Sequence, residues 1–162
     1  MQRIRSARPD EREILSAVEG AADTLFATVG IWPLPPPGPA SAFTSAHAVL
    51  VVGDPPVGFA RLEVVDGSAF LEQLSVHPDH TRQGLGASLL EAACDRARAE
   101  GFATITLSTF VEVPWNGPFY TRHGFAPVTG ELPPGLRALR DREIALGLHT
   151  FGPRVMMRRH LT

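Results

Sequence analysis

Six consecutive residues, Arg82-Gln83-Gly84-Leu85-Gly86-Ala87, carry the most legible chemistry in this 162-residue chain. They stand where helical spacing begins, and the first four amides of a helix have no intrahelical acceptor. The helix dipole adds partial positive charge at the same end. Gly84 and Gly86 have no β-carbon, so a bulky anion can approach the backbone within hydrogen-bonding distance. Arg82 adds a planar cationic fork that matches phosphate oxygens. The chemistry these residues suit is pyrophosphate binding. A bare G-x-G also fits an ordinary glycine-bearing turn that starts a helix. A P-loop is excluded because no Gly-Lys-Ser/Thr follows. A Rossmann site fits poorly, because the third glycine and the later acidic residue are missing.

The elements that must position this turn are readable on both sides. Phe70–Val76 (FLEQLSV) is apolar and partly alternating, as a half-buried strand is. His77-Pro78-Asp79 stops it, since proline offers no amide to a ladder and aspartate favours turns. From Gly84 onward, Leu85, Leu89, Leu90, Ala93, Cys94 and Ala97 form an apolar stripe opposite Glu91, Asp95, Arg96 and Arg98. Gly101 suits a left-handed C-cap.

Strand, HPxxxRxGxG, long helix, second strand and then Phe119-Tyr120-Thr121-Arg122-His123-Gly124-Phe125 together resemble the GNAT superfamily of acetyl-CoA-dependent N-acetyltransferases. The match runs closely from Leu71 to Phe125. Thr81 stands where the family usually has Arg or Gln. Val113 stands where an asparagine is common, and Asn116, one turn before Tyr120, is the nearest substitute. The resemblance implies an α+β fold: a central mixed, mostly antiparallel sheet flanked by helices, with a splayed strand pair forming the acyl-CoA cleft. It implies acetyl-CoA as cosubstrate, held by Leu74, Ser75 and Val76 along the pantetheine arm. Arg82, Gln83, Gly84, Leu85, Gly86 and Ala87 would take the pyrophosphate, with Asn116 and Phe119 as further cofactor contacts. The Val76 amide is the implied donor to the thioester oxygen, and Tyr120, the only tyrosine, is the implied general acid. A buried core tyrosine with a satisfied hydroxyl is the competing assignment. For the general base, Glu72 ranks first and Glu63, Glu112 and His77 are rivals; each also fits a solvated surface position. Whether Glu72 or its neighbour Gln73 faces the cleft stays open.

Composition bounds the rest. The length suits one domain spanning residues 1–162, with enough chain to bury a full core. No apolar run is long enough to span a bilayer, and Met1-Gln2-Arg3-Ile4-Arg5 lacks a signal-peptide core, so a cytoplasmic protein with no membrane partner is expected. The single cysteine, Cys94, lies on the apolar side of its helix and reads as core. The net charge of -2 without a basic block gives no expectation of nucleic acid. No lysine occurs, so Schiff-base chemistry is excluded. The six histidines show no metal-ligand spacing, and no metal is expected. A primary amine of a small molecule or peptide is the expected acceptor. A non-catalytic acyl-CoA-binding module on the same fold is the alternative, because a fold alone does not license activity. A homodimer is common among proteins that resemble this one.

In chain order, the pattern predicts a strand over Arg3–Ala7 and a helix capped by Asp10, with Glu13 as its capping-box partner, running to about Ala27. Trp32–Pro39 cannot be helical; it serves as a stiff connector or as a substrate-pocket wall with Trp32 and Phe43. Strands are predicted at Ala48–Val52 and Val57–Val65, with Asp66-Gly67 turning the chain into the central strand. Ala103–Thr109 is predicted as a strand, and Pro114 opens a short helix to His123. Phe125–Val128 is a strand, Leu136–Leu146 a helix with Arg137, Arg140, Asp141, Arg142 and Glu143 outward, and Arg154–Arg159 closes the sheet.

Overall fold

The structure is a computed structural model and describes residues 3–37 and 39–161. Met1, Gln2 and Gly38, on which parts of the terminal and proline-stretch expectations fall, lie outside the described residues. Seven strands form one mixed sheet in the order β1-β2-β3-β4-β5-β7-β6. The chain divides into two compact units, Met1–Glu63 with Leu71–Arg96, and Val64–Phe70 with Ala97–Thr162.

The first unit holds β1 (Ile4–Ser6), α1 (Arg12–Asp23), α2 (Ala42–Ser45) and β2 (Ala48–Val52). It also holds most of β3 (Gly58–Val65), β4 (Ser68–Val76) and α3 (Leu85–Ala99). Strand β2 pairs antiparallel with β1 (Ile4↔Val52) and with β3 (Leu50↔Ala60). Its residues Leu50, Val51 and Val52 are all buried, so both faces are covered, which explains its unbroken apolar run. Leu15 and Val18 of α1, Phe43 of α2, Val51 and Phe59 make one core cluster. The Phe43 and Phe59 rings meet edge to face at 5.2 Å. Cys94 is fully buried, as expected of a core thiol.

The entry to α1 corrects the capping expectation. A single 3-10 turn at Pro9–Glu11 precedes the helix, and Glu11 rather than Glu13 folds back, accepting from the Arg8 amide at 2.7 Å. Glu11 also takes both arms of the Arg5 guanidinium, at 2.9 and 2.8 Å. These bonds from Arg5 outweigh burial and hold the Glu11 carboxyl down at about 2. Pro9 at the first helical position moves the start two residues earlier than an Asp10 cap allows.

The second unit holds the start of β4, β5 (Thr104–Phe110), α4 (Gly117–Arg122), β6 (Ala126–Pro127), α5 (Pro134–Ala145) and β7 (Arg154–His160). Strand β5 runs parallel to β4 (Phe70↔Thr106) and antiparallel to β7 (Ser108↔Met156). Strand β7 therefore inserts between β5 and β6 instead of closing an edge. Leu136 of α5 packs on Phe70 and Met156, flanked by Leu132 and Leu139. Glu143 is not outward as expected. It accepts from Ser108 at 2.8 Å and pairs with Arg154 at 3.0 Å, where the two charged side chains are 17% and 10% exposed. Helical spacing places Glu143 four residues after Leu139, on the same apolar-facing stripe. Pro114 lies before α4, whose first-turn proline is Pro118.

The Asp66-Gly67 turn forms as expected, with φ of 52° and 73°. Asp66 has a second task that hairpin chemistry does not reveal. Its two carboxylate oxygens accept from the Gly135 and Leu136 amides at 2.8 and 2.9 Å, capping α5 from across the unit. Replacement by alanine removes the cap and places a less tolerant residue at positive φ. Asp66→Ala is expected to cost about 1–2 kcal/mol in urea unfolding, and Asp66→Asn less, because asparagine tolerates that φ and keeps one acceptor.

Candidate functional site

In the first unit the site begins with β4. The His77 amide donates to the Val57 carbonyl at 2.8 Å. Backbone groups alternate sides along an antiparallel strand, so the Val76 and Leu74 amides point away from β3. Side chains alternate as well. Gln73 donates to Ser75 Oγ at 2.9 Å on one face, and Glu72 pairs with Arg61 at 3.3 Å on the other. This settles which way each neighbour looks. Glu72 shares its face with α1 and with Phe43, over whose ring Arg61 lies at 5.5 Å. Gly58 fits closely opposite Ser75, where a β-carbon would stand 3.0 Å from the Ser75 carbonyl and force a local shift.

After β4 the chain makes a 3-10 turn at Pro78–His80, with the Asp79 amide donating to His77 Nδ1. Thr81 closes it through its amide and hydroxyl, both donating to the Pro78 carbonyl at 3.4 and 3.1 Å. Arg82 then takes φ 66° and Gly84 φ 75°. Left-handed backbone costs an arginine roughly 1–2 kcal/mol, and such strain gathers at functional turns. The turn stands ahead of α3, whose ladder opens with the Ser88 amide donating to the Gly84 carbonyl. Arg82, Gln83 and Gly84 are exposed, Leu85 is buried as the helix anchor, and open space surrounds the α-carbon of Gly84. Among the described residues no side chain ion-pairs with Arg82. These features fit a pyrophosphate-bearing cosubstrate.

The second unit carries the other expected residues. Asn116 caps nothing with its side chain; instead its Oδ1 accepts from the Phe110 amide at 3.4 Å, tying α4 to the end of β5. Gly117 is pressed so close that a β-carbon would lie 2.5 Å from the Val111 carbonyl. These two contacts fix the first turn of α4 and with it Tyr120. The Tyr120 ring meets Phe119 at 5.2 Å and Phe125 at 5.7 Å, both near edge to face. Tyr120 is 8% exposed, and burial pushes its phenol well above the usual tyrosine value. Among the described residues no side chain or backbone group hydrogen-bonds its hydroxyl.

Leu74, Ser75, Val76 and Arg82–Ala87 thus stand together in the first unit with Glu72, and Asn116, Phe119 and Tyr120 stand together in the second. Val113, at the family's usual asparagine position, is buried. Of the rival bases, Glu112 is exposed beyond β5 and His77 is engaged with Asp79. Trp32 is 52% exposed, whereas Phe43 belongs to the core. Among the described residues no group of His, Cys, Asp or Glu is arranged to hold a metal ion, and no helix is long and apolar enough to cross a membrane.

Sequence reasoning missed two carboxyls beside Glu72. Burial raises Glu19 to about 7, with Asp23 and Glu72 adding to the rise and Arg61 opposing it. Burial raises Asp23 to about 6. The available signal was their spacing, two acids four residues apart on the inward half of α1.

Comparison with known proteins places this architecture among acyltransferases. The acetyltransferase (GNAT) family profile matches residues 33–125, more than half of the chain. The chain belongs to the GNAT acetyltransferase family. Its relative YjcF, an uncharacterised N-acetyltransferase of Bacillus subtilis (strain 168), is 33% identical over 82 residues. That match covers 50% of this chain and 56% of the relative, so the chain matches about half the length of that curated protein. A GNAT-family acetyltransferase of Staphylococcus aureus Mu50 shares the fold over 100% of both chains, with TM-score 0.71 and 16% identity. The PaiA N-acetyltransferase of Thermoplasma acidophilum, solved with coenzyme A, covers 99% of both chains with TM-score 0.67 and 16% identity. N-acetylglutamate synthase of Neisseria gonorrhoeae, solved with coenzyme A and N-acetyl-glutamate, matches 100% of this chain and 35% of its own, with TM-score 0.72 and 19% identity.

The raised carboxyls have a consequence for stability. The folded state binds protons at Glu19 and Asp23 that the unfolded chain has already released, so stability falls as pH rises from about 4 through 7. Glu19→Gln removes the largest of these penalties. In urea unfolding the variant is expected to gain about 1 kcal/mol over wild type at pH 8, a value discounted for partial exposure, and to gain nothing at pH 4.

Proposed function

We propose that this protein transfers an acetyl group from acetyl-CoA directly to a primary amine of a small molecule or peptide, in the cytoplasm. The observation that carries the proposal is the strained Arg82–Gly84 turn opening onto α3, in a chain whose family uses acyl-CoA. Acetyl-CoA, when bound, supplies an activated thioester. The amides from Gly84 to Ala87, with Gln83 and the unpaired Arg82 guanidinium, receive its pyrophosphate. The backbone of Leu74, Ser75 and Val76 holds the pantetheine arm, and the Val76 amide polarises the thioester carbonyl. Asn116 and Phe119 complete the cofactor contacts.

Two proton movements complete the transfer. The acceptor enters as an ammonium and must lose a proton before it can attack. Glu72 is the assigned acceptor of that proton, reached directly or through water. Glu19, whose field couples to Glu72 and whose carboxyl sits at about 7, is matched to store it near neutral pH. The departing thiolate takes a proton from Tyr120. Because burial holds the phenol protonated, the acid form is available across the working pH range. The place of Tyr120 within the matched family segment favours this role over a purely structural one.

The test is thiol release from acetyl-CoA against a panel of primary amines. Wild type is expected to release thiol only when a suitable amine is present. Tyr120→Phe should lower kcat/KM by at least about 100-fold, the lower range for a lost general acid, while acetyl-CoA affinity in calorimetry changes by less than about twofold. Undiminished turnover in Tyr120→Phe would remove the tyrosine from the mechanism. Tight acetyl-CoA binding with no release from any amine would identify a binding module instead.

A further inference from the structure

A separate cleft of about 350 Å³ opens in the first unit between the start of α1, the α2 segment and β2. None of the residues assigned above to acetyl-CoA lines it. Its floor is apolar, with Leu15, Phe43 and Val49, and its lining includes Arg8, Arg12, Arg96 and His47 but no Asp or Glu.

Arg12 is the informative member. Arg8 is neutralised by Glu11 and Asp54, at 3.2 and 3.0 Å. Arg12 is held by neutral acceptors only: its Nε donates to the Pro9 carbonyl at 2.8 Å, and its Nη1 donates to the Thr44 hydroxyl. No carboxylate among the described residues pairs with it. The guanidinium is therefore fixed in direction and keeps its full charge and remaining N–H groups for another partner. Thr44 Oγ1 already accepts from Arg12, so its own hydroxyl proton is free to be donated. A fixed cation and a hydroxyl donor above an apolar floor, in a cleft of ligand size, select an anion with a hydrophobic body.

We infer that this cleft binds a small monocarboxylate with a short apolar tail, the carboxylate on Arg12 and Thr44 and the tail against Leu15, Phe43 and Val49. The site is independent of the acyl-transfer reading, and either can fail without the other.

The test uses the full chain and calorimetric titration with hexanoate, inorganic phosphate and hexanol, alongside acetyl-CoA as the control ligand. Hexanoate is expected to bind and to raise Tm, whereas phosphate and hexanol bind at least tenfold more weakly. Arg12→Gln should weaken hexanoate at least tenfold and leave acetyl-CoA affinity unchanged. Because Arg12 also braces α2, Thr44→Val is the second variant, expected to weaken hexanoate about threefold or more with its acetyl-CoA affinity retained. No hexanoate binding to folded wild type, phosphate binding as well as hexanoate, or hexanoate affinity unaffected in both variants would each overturn the inference.

Discussion

Strand β4 is the element on which the rest of the structure depends, because each of its residues is committed in two directions at once. Backbone alternation gives the His77 amide to Val57 and leaves the Val76 amide on the opposite edge. Side-chain alternation sends Gln73 and Ser75 to one face and Glu72 to the other. A one-residue slip in register would exchange both sets together. The fold guards against that slip at two points. The Asp66-Gly67 turn sets where β4 begins, and Gly58 allows β3 to approach Ser75 more closely than a β-carbon usually does.

The same strand ties stability to chemistry. On the Glu72 face, Glu19 and Asp23 are partly buried, with Arg61 opposing the rise at Glu19, and both carboxyls respond by holding protons well above their usual range. An acid cluster of this kind destabilises the folded state at neutral pH, and the arrangement persists beside the strand that carries the proposed pantetheine contacts. Glu11 is the opposite case. Fully engaged by Arg5 and Arg8, it adds stability that is present above its ordinary pKa and lost as pH falls towards 2. One short segment of α1 and its entry turn thus contains a carboxyl that fastens the fold and two that load it.

Much of this was legible in the sequence, for physical reasons that differ by element. The Asp-Gly turn, the strand before His77-Pro78 and the helix after Gly84 follow from local chemistry, and local chemistry decided them. Strand β2 was legible from its apolar run alone. What escaped was decided at a distance. Asp10 had the right type and position for a cap, but Arg5, from a neighbouring strand, drew Glu11 into that task. Glu143 looked like one of a solvated row until Ser108 and Arg154, distant in sequence, gave it a buried partner set. Strand β7 was recognised, yet its place between β5 and β6 depends on pairing that no local pattern encodes. At the site, the Arg82–Ala87 turn and Tyr120 were legible as motifs, but the orientation of Glu72 and the part played by Glu19 required the packed α1 and Arg61.

The central claim is that the first unit binds acyl-CoA through backbone amides at the end of β4 and the start of α3. The most direct measurement is a ¹⁵N NMR titration of the protein with coenzyme A, read at individual amides. The account predicts that Leu74, Val76 and Gln83–Ala87 show the largest shifts and gain protection from hydrogen exchange, with α5 and β7 little changed. Binding that leaves those amides unmoved, or no binding at millimolar coenzyme A, would contradict it.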